Sequence, residues 1–483
     1  MSTPDFFRAR LDQMIDLRHP LAVLATRMPW AQIEGSLAPL FTRGPRDART
    51  RIDMDLFGPT QVAVGPGAGG RPRLPIRLMV ALLYLKHAYG LSDEEVVARW
   101  SENVVWQFFS GMQYYEPRLP CDATQIGRFR RVLGEAGVEE LLARTIETAV
   151  EMKAVRRNEF ERVIVDSTVQ EKAVAYPTDS RLLEVARAKV VCLAQRAGLK
   201  LKQTFEREGK ALRRRAGGYA HAKQFKRMRR VLKRQRTVLG RLLRDVERQM
   251  PQLTQDAQDK LQPWLQRAER IRTQRPKDKD KLYALHAPEV ECIGKGKARQ
   301  PYEFGVKVSV AVTARQGLMV GARSFTGTPY DGHTLAEQLE QTTILLQDIA
   351  VKPKVAIVDL GYRGVDAQLG EVELVHRGKR KTLTPVQRRW LKRRQAVEPA
   401  IGHLKADHGM RRCWLKGAEG DALNAVLCAA GYNIAWLLRA IARNGIRAVF
   451  LWLRSLGWLR AVAADSNVPG HHSALVRSLS LAK

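Results

Sequence analysis

Two short runs far apart in the chain, Arg162–Asp166 (RVIVD) and Val355–Asp359 (VAIVD), are near copies: β-branched residues leading into an aspartate. Runs of this length and composition predict strands. Glu303–Thr313 (EFGVKVSVAVT) alternates with its valines on one face, and strand-like runs follow at Leu318–Phe325 and Val372–Val375. A mixed sheet is expected, with helices from His333 to Ile349 and from Pro385 onward. If the two Asp-terminated strands share that sheet, their carboxylates lie side by side at the strand ends. Like charges so close are unfavourable unless a cation sits between them, and oxygen ligands favour magnesium or manganese. Taken singly, either aspartate reads as a helix cap or a loop residue.

Upstream of the first strand, residues 1 to about 150 read as helical. Pro75–Tyr89 is apolar at helical spacing and stops at Gly90, Ser92 with Glu95 forms a capping box for a helix ending near Asn103, and Asp122 opens a third element running to Val150. That third element carries Arg128, Arg130 and Arg131 in its first turns. The arrangement is compatible with a helix-turn-helix DNA reader and equally with an all-helical packing domain with basic solvent faces. From Arg181 to Lys281 the pattern is again helical and very basic: no Asp or Glu lies between Glu208 and Asp245, while Arg213, Arg214, Arg215, Arg229 and Arg230 fall inside that interval. Gly217–Gly218 is expected to break it into a hairpin of helices. So dense a run repels itself unless a polyanion lies against it.

The whole chain shows the same imbalance. Its 483 residues carry 82 Lys+Arg against 49 Asp+Glu, a formal charge of +33. Nucleic acid is the first partner this implies and an anionic membrane the second. The apolar run Ala422–Leu438 is interrupted by Asn424 and Asn433 and followed by Arg439, Arg443 and Arg447, which reads as a docked amphipathic helix and not a span. Five cysteines without a CxxC pair argue against a disulfide framework and a zinc ribbon, and His403, His408 and Cys413 read as buried or solvated residues before they read as ligands. The N-terminal MSTPDFFRARLDQ lacks a secretory apolar core, so a cytoplasmic location is expected. Gly65–Gly70 and Gly294–Lys297 lack the Lys-Ser/Thr pair of a P-loop; they are loops, the second offering Lys295 and Lys297 to phosphates.

In Thr384–Lys405 (TPVQRRWLKRRQAVEPAIGHLK), Thr384 and Pro385 mark a helix start. On a continuous helix Arg394, Glu398 and Lys405 would fall within about 40° of one another, although Pro399 should kink or restart it.

Together these residues resemble the insertion-sequence DDE transposases of the IS-Five type. The resemblance rests on Asp166, on Asp359 followed by Gly361–Arg363 (GYR), and on Arg-x3-Glu-x6-Lys at Arg394, Glu398 and Lys405. Their surroundings agree, at Tyr176–Leu183, at Val397–Lys405 and in the N-terminal helices, so that about residues 10–440 are covered. One departure is Leu391, with Trp390 beside it, where the related signature has Tyr.

The resemblance implies an α/β RNase H-like mixed sheet flanked by helices, at residues 158–180 and 282–410. A helical N-terminal DNA-binding or dimerisation domain (1–150), a basic helical insertion (181–281) and C-terminal helices (411–483) would surround it. Asp166, Asp359 and Glu398 would be the catalytic acids and hold two Mg2+ ions, with Mn2+ able to substitute. The activity implied is nicking at transposon ends and 3′-hydroxyl strand transfer into target DNA. The partners are double-stranded DNA, as inverted-repeat ends and target, and a second copy of the chain on DNA, with no membrane. Arg394 and Lys405 would lie near the scissile phosphate, with Arg128, Arg131, Arg213–Arg215, Arg229, Arg230, Lys295, Lys297 and the run Arg377–Arg394 as further DNA contacts. Asp331 reads as a helix cap and His333 as a helix-start or core residue, either able to shape the site; Trp390 and Trp414 could stack on frayed bases or anchor a core. Two other readings remain open: an RNase H-like nuclease that cuts without joining, and a basic DNA-binding protein without catalysis.

Overall fold

The computed structural model describes residues 9–41, 50–55, 58–63, 73–294, 301–364, 370–379 and 381–465. Three helices open the chain, α1 (Leu11–Met14), α2 (Pro20–Arg27) and α3 (Trp30–Leu37), followed by a two-stranded hairpin of β1 (Thr50–Asp55) and β2 (Gly58–Ala63). The hairpin is the exception to the all-helical reading of this region. Helices α4 (Ile76–Ala88), α5 (Asp93–Glu102), α6 (Val104–Phe109) and α7 (Ala123–Glu151) complete it. The caps anticipated from sequence are in place. Ser92 and Glu95 exchange both capping-box bonds, Asp122 caps α7, and Gly90 takes the left-handed turn after α4 at φ +63°.

Next come β3 (Arg162–Glu171), four helices α8 (Asp179–Arg196), α9 (Glu206–His221), α10 (Phe225–Gln249) and α11 (Gln255–Thr273), then β4 (Glu291–Gly294), β5 (Tyr302–Thr313), β6 (Met319–Phe325), α12 (Asp331–Leu345), β7 (Val355–Ile357) and β8 (Glu373–Val375). The last helices are α13 (Pro385–Arg393), α14 (Val397–Asp407) and α15 (Gly417–Asp465). Among the described residues the main sheet has six strands in the order β4-β5-β3-β7-β8, with β6 also on β5. Strand β5 runs antiparallel to β3, β4 and β6, whereas β7 and β8 run parallel to β3. With helices packed around it, this is the mixed RNase H-like sheet that the sequence implied.

Two local readings are corrected. Strand β3 does not end at Asp166 but continues to Glu171, still paired with β5. Its second half looks polar, yet Gln170 is fully buried and satisfied: its Nε2 donates to the Asp421 carbonyl at 2.9 Å and its Oε1 accepts from Asn424 at 2.8 Å. Nor do Gly217 and Gly218 break the insertion. Helix α9 runs through both to His221, and the chain turns at Lys223, φ +54°. Leu212 and Ala216 pack against Val231 of α10, which offsets a glycine cost of roughly 1 kcal/mol each.

One core joins the N-terminal helices to the sheet: Leu82 and Leu141 belong to the same buried cluster as Val163, Val310 and Ile357. Helices α8–α11 enclose a core of their own around Val190, Leu239 and Leu265. Helix α15 closes the first core, packing on α4, α7 and β6. Gly417–Gly445 is long and apolar enough to cross a membrane, but its most apolar window is 78% buried inside the protein, as a core helix is. Its apparent blemish, Asn433, is a clamp: Nδ2 donates to Thr145 Oγ1 and to the Met319 carbonyl, each at 2.9 Å, and Oδ1 accepts from Met319 N–H at 2.9 Å. Asn433→Ala strands those partners in a dry interior and should cost about 2–4 kcal/mol. Denaturant unfolding should show a lower midpoint at unchanged slope, and an unmoved midpoint would contradict the assignment.

Candidate active site

The β3–β7 ladder pairs Arg162 with Val355 and Ile164 with Ile357, and there it stops. Extending that register by two places sets Asp166 level with Asp359, on the same side of strands that run about 4.8 Å apart. Asp359 caps a 3-10 turn, Leu360–Tyr362, and its carboxylate accepts the Gly361 N–H at 2.8 Å. A side chain at Gly361 would not fit, because its Cβ would stand 2.9 Å from Asp359 Oδ1 and 3.2 Å from Asp331 Oδ2. Asp331, the first residue of α12, therefore reaches the same place from the other side of the sheet edge. Lys307 of β5 holds it there, donating to Asp331 Oδ1 at 3.0 Å and to the Pro329 carbonyl at 2.5 Å.

The third sequence-implied acid approaches through a cation. Arg394 contacts Asp166 Oδ2 at 3.3 Å through one guanidinium nitrogen and Glu398 Oε1 at 3.7 Å through the other. Glu398 itself is 63% exposed. Helix α13 ends at Arg393, residues 394–396 form a 3-10 turn, and α14 begins at Val397, so Pro399 falls in a first turn where its missing N–H costs nothing. The single-helix face drawn through Arg394, Glu398 and Lys405 is thus broken. Arg394 and Glu398 still meet, while Lys405 points to Glu303 of β5 at 3.8 Å.

Crowded acids are reluctant to ionise. Burial pushes the Asp166 carboxyl up to about 6; Arg394 and the Ser167 N–H pull it back, and Asp359 and Asp331 push it further up. Tyr362 is fully buried, and its ionisation is disfavoured first by burial and then by Asp331, Asp166 and Asp359, with Ser309 acting in the opposite direction. Three aspartates and a phenol thus face one small volume. Hard oxygen donors crowded to the point of mutual repulsion, with a guanidinium linking Asp166 to Glu398 beside them, are a chemically fitting set for divalent cations. Among the described residues no three such side chains stand at ligating distance of one point.

Other sequence-identified residues fall elsewhere. Arg128 and Arg131 are exposed on α7, whereas Arg130 is buried against Asp93 at 2.7 Å. Arg213, Arg214, Arg215, Arg229 and Arg230 are all exposed on α9 and α10. Trp390 is partly buried beneath Arg162, and Trp414 is 75% exposed beside Arg412. His333 is exposed, edge-on to Tyr330, and not in the core. His403 pairs with Asp407, while His408 and Cys413 are buried. Lys295 and Lys297 lie outside the described residues. The sequence reading undervalued Asp331: the PYDGHT signal was visible, but only the fold brings it to Asp359.

Comparison with known proteins gives the class of the chain. Residues 9–132 match the family described as Transposase domain (DUF772), and residues 268–434 match Transposase DDE domain. The second match takes in Asp331, Asp359, Arg394, Glu398 and Lys405; Asp166 lies between the two. A Rhizobium meliloti protein, "Uncharacterized protein ORF8 in nfe locus", is 41% identical over 221 residues, 46% of this chain and 95% of that protein. No solved structure matches. The chain belongs to the DDE transposases, and the insertion-sequence type that its motifs resemble is consistent with these matches.

Because folding raises the Asp166 value from an ordinary 3.8 to about 6, the group's contribution to stability is complete below about pH 4 and is lost as pH rises through 6. Asp166→Asn should therefore raise the melting temperature near pH 7.5, with chelator present, by the equivalent of about 3 kcal/mol, and leave it unchanged near pH 3.5. A variant less stable than wild type at pH 7.5 would contradict this electrostatic account.

Proposed function

We propose that this transposase nicks DNA at the ends of its element and joins the freed 3′-hydroxyl to target DNA at the site formed by Asp166, Asp359 and Glu398. The observation that carries the reading is the parallel pairing of β3 and β7, whose register extended two places sets Asp166 beside Asp359 in the turn that follows β7, with Glu398 tied to Asp166 through Arg394. Divalent cations, magnesium with manganese able to substitute, would be held by these three acids and would supply a lowered pKa at the attacking oxygen and charge neutralisation at the leaving one. The chain's own groups do the rest. Lys307 fixes Asp331, and with it the charge facing Asp359. The Gly361 N–H fixes the Asp359 rotamer, and Arg394 holds Asp166 and Glu398 toward each other. With donors on both edges of its plane, the Arg394 guanidinium can turn from carboxylate to phosphate.

The exposed arginines of α9 and α10, and Arg128 and Arg131 on α7, are surfaces for the DNA on either side of the scissile phosphate. Two ends brought together in one reaction call for a homodimer on DNA.

Asp166→Asn, Asp359→Asn and Glu398→Gln should each lower nicking and joining by at least about 1000-fold, a loss of roughly 4 kcal/mol of transition-state stabilisation, and leave end binding within a few-fold of wild type. A gel assay on labelled end duplexes reads both, and retained metal-dependent cleavage removes that residue from the site. A precut 3′ end offered with target DNA separates a transposase from a nuclease that only cuts. Neutralising Arg213–Arg215 with Arg229 and Arg230 should flatten the log affinity–log salt slope by up to about 4, and an unchanged slope returns that arm to a solvated face.

A further inference from the structure

Arg394 is placed at a joint. Helix α13 ends one residue before it, the 3-10 turn Arg394–Ala396 begins with it, and Glu398 stands in the first turn of α14. From this joint one guanidinium spans two acids, with Nη1 at 3.3 Å from Asp166 Oδ2 and Nη2 at 3.7 Å from Glu398 Oε1. Among the described residues neither acid has another ion pair. The two ends of the span differ: the Asp166 and Arg394 side chains are each 18% exposed, whereas Glu398 faces solvent. The backbone beside the joint is anchored, because Arg393 donates to the Ala314 and Arg315 carbonyls at 3.1 and 2.9 Å. Arg394 can therefore leave its acids by turning about side-chain bonds, with α13 and α14 in place.

We propose, resting on the strand-transfer reading above, that Arg394 is a gate that makes the acids' hold on divalent cations depend on bound DNA. A divalent cation shared by Asp166 and Glu398 needs oxygens that the guanidinium faces, and positive charges so close repel each other. Guanidinium and cation therefore compete for the same carboxylates. A phosphate changes the balance, because it offers the planar donor fork a matching pair of oxygens. Once Arg394 is drawn to phosphate, Asp166 and Glu398 lose their internal counter-charge, and Glu398 loses its tie to Asp166 and is free to turn to the cation. The coupling is reciprocal: the factor that DNA adds to cation affinity is the factor that the cation adds to DNA affinity. Protein away from DNA holds its cations weakly, and the charge needed for cutting is assembled at the strand.

The test follows Mn2+ binding to the full chain through the paramagnetic resonance signal of the free ion. It is run without DNA and with a precut end duplex whose 3′ terminus is a dideoxynucleotide, so that no joining occurs. Arg394→Gln should bind Mn2+ about 5–20-fold more tightly than wild type in the absence of DNA, and the duplex should raise its affinity by a correspondingly smaller factor. Arg394→Lys keeps a charge but cannot span both acids, and it should fall between the two. In wild type, saturating Mn2+ should tighten duplex binding by the same factor that the duplex tightens Mn2+ binding. Arg394→Gln with unchanged or weaker Mn2+ affinity, or with an enhancement by DNA as large as that of wild type, overturns the gate; so does a lysine variant identical to wild type. Asp166→Asn and Glu398→Gln separate the gate from the site. If they lower Mn2+ affinity while Arg394→Gln does not raise it, the site stands and the gate falls; if they leave it unchanged, the strand-transfer site falls as well. Melting curves of both Arg394 variants, recorded with chelator, check that they are folded, and the lysine variant carries the test should the glutamine variant unfold.

Discussion

Strand β3 belongs to two ladders of unequal length, and the site depends on that inequality. Its antiparallel partnership with β5 runs from Val163 to Glu171, but its parallel partnership with β7 stops at Ile164. Up to that point both neighbours hold β3 in register; beyond it the β7 side opens, and Asp166 is the first residue whose side chain faces the opening. The continued pairing with β5 keeps the acid from drifting. Beyond it the strand end is pinned to α15, where Lys172 makes buried ion pairs with Asp421 at 2.8 Å and with Glu289 at 2.9 Å. Removing one member of such a buried set would leave a charge uncompensated, so the far end of β3 is held more firmly than its polar sequence suggests. Asp166 sits on a strand clamped at both ends, whereas Asp359 and Glu398 sit on a 3-10 turn and a first helical turn, which can adjust to it.

Much of this was legible in the chain, because the physics that writes it is local. β-Branched runs, alternating valines and capping residues act over a few residues, and β5, α4, α5 and α7 lie where those signals put them. The pair RVIVD and VAIVD carried the most information: two like strands leading into the same acid made a shared sheet edge the economical reading, and the two do pair in parallel, over a register that stops two residues short of either acid. What stayed hidden depends on long-range contact. Asp331 looks like an ordinary helix-start residue until α12 is folded back onto β5 and β6. Gln170 and Lys172 look like the end of a strand's usefulness until Asp421, some 250 positions later, proves to be their partner. Gly217 and Gly218 show the reverse failure, a strong local signal overruled because the helix carrying them is packed against α10.

The net charge divides in the same way. Cations that the fold has taken inside are matched. Arg144 meets Glu140, Glu147 and Asp348, Arg187 meets Glu184, and Arg130 and Lys86 share Asp93. These pairs set the packing of helices and leave little of their field outside. The excess that makes +33 is therefore a surface property, concentrated on α9 and α10, on the first turns of α7 and between β8 and α14. An anionic membrane would be served by charge spread over any one face; it gives no reason for an acidic row at the centre of it.

That row also explains why the acids remain where folding alone would not keep them. Asp166 carries a carboxyl that burial and two neighbouring aspartates make hard to ionise, and the same three acids oppose ionisation of the buried Tyr362. Apolar residues in these places would make a more stable edge. Among the described residues relief comes from Arg394, which touches Asp166 and Glu398, from the Ser167 N–H on Asp166, and from Lys307, which touches Asp331; Asp359 there has a backbone N–H and no ion pair. The arrangement is thus undercompensated at its centre and overcompensated just outside it, where Arg363 and Arg377 begin a basic strip. A ligand that brings positive charge to the first place and negative charge to the second satisfies both, and a phosphodiester with its divalent counterions has that polarity.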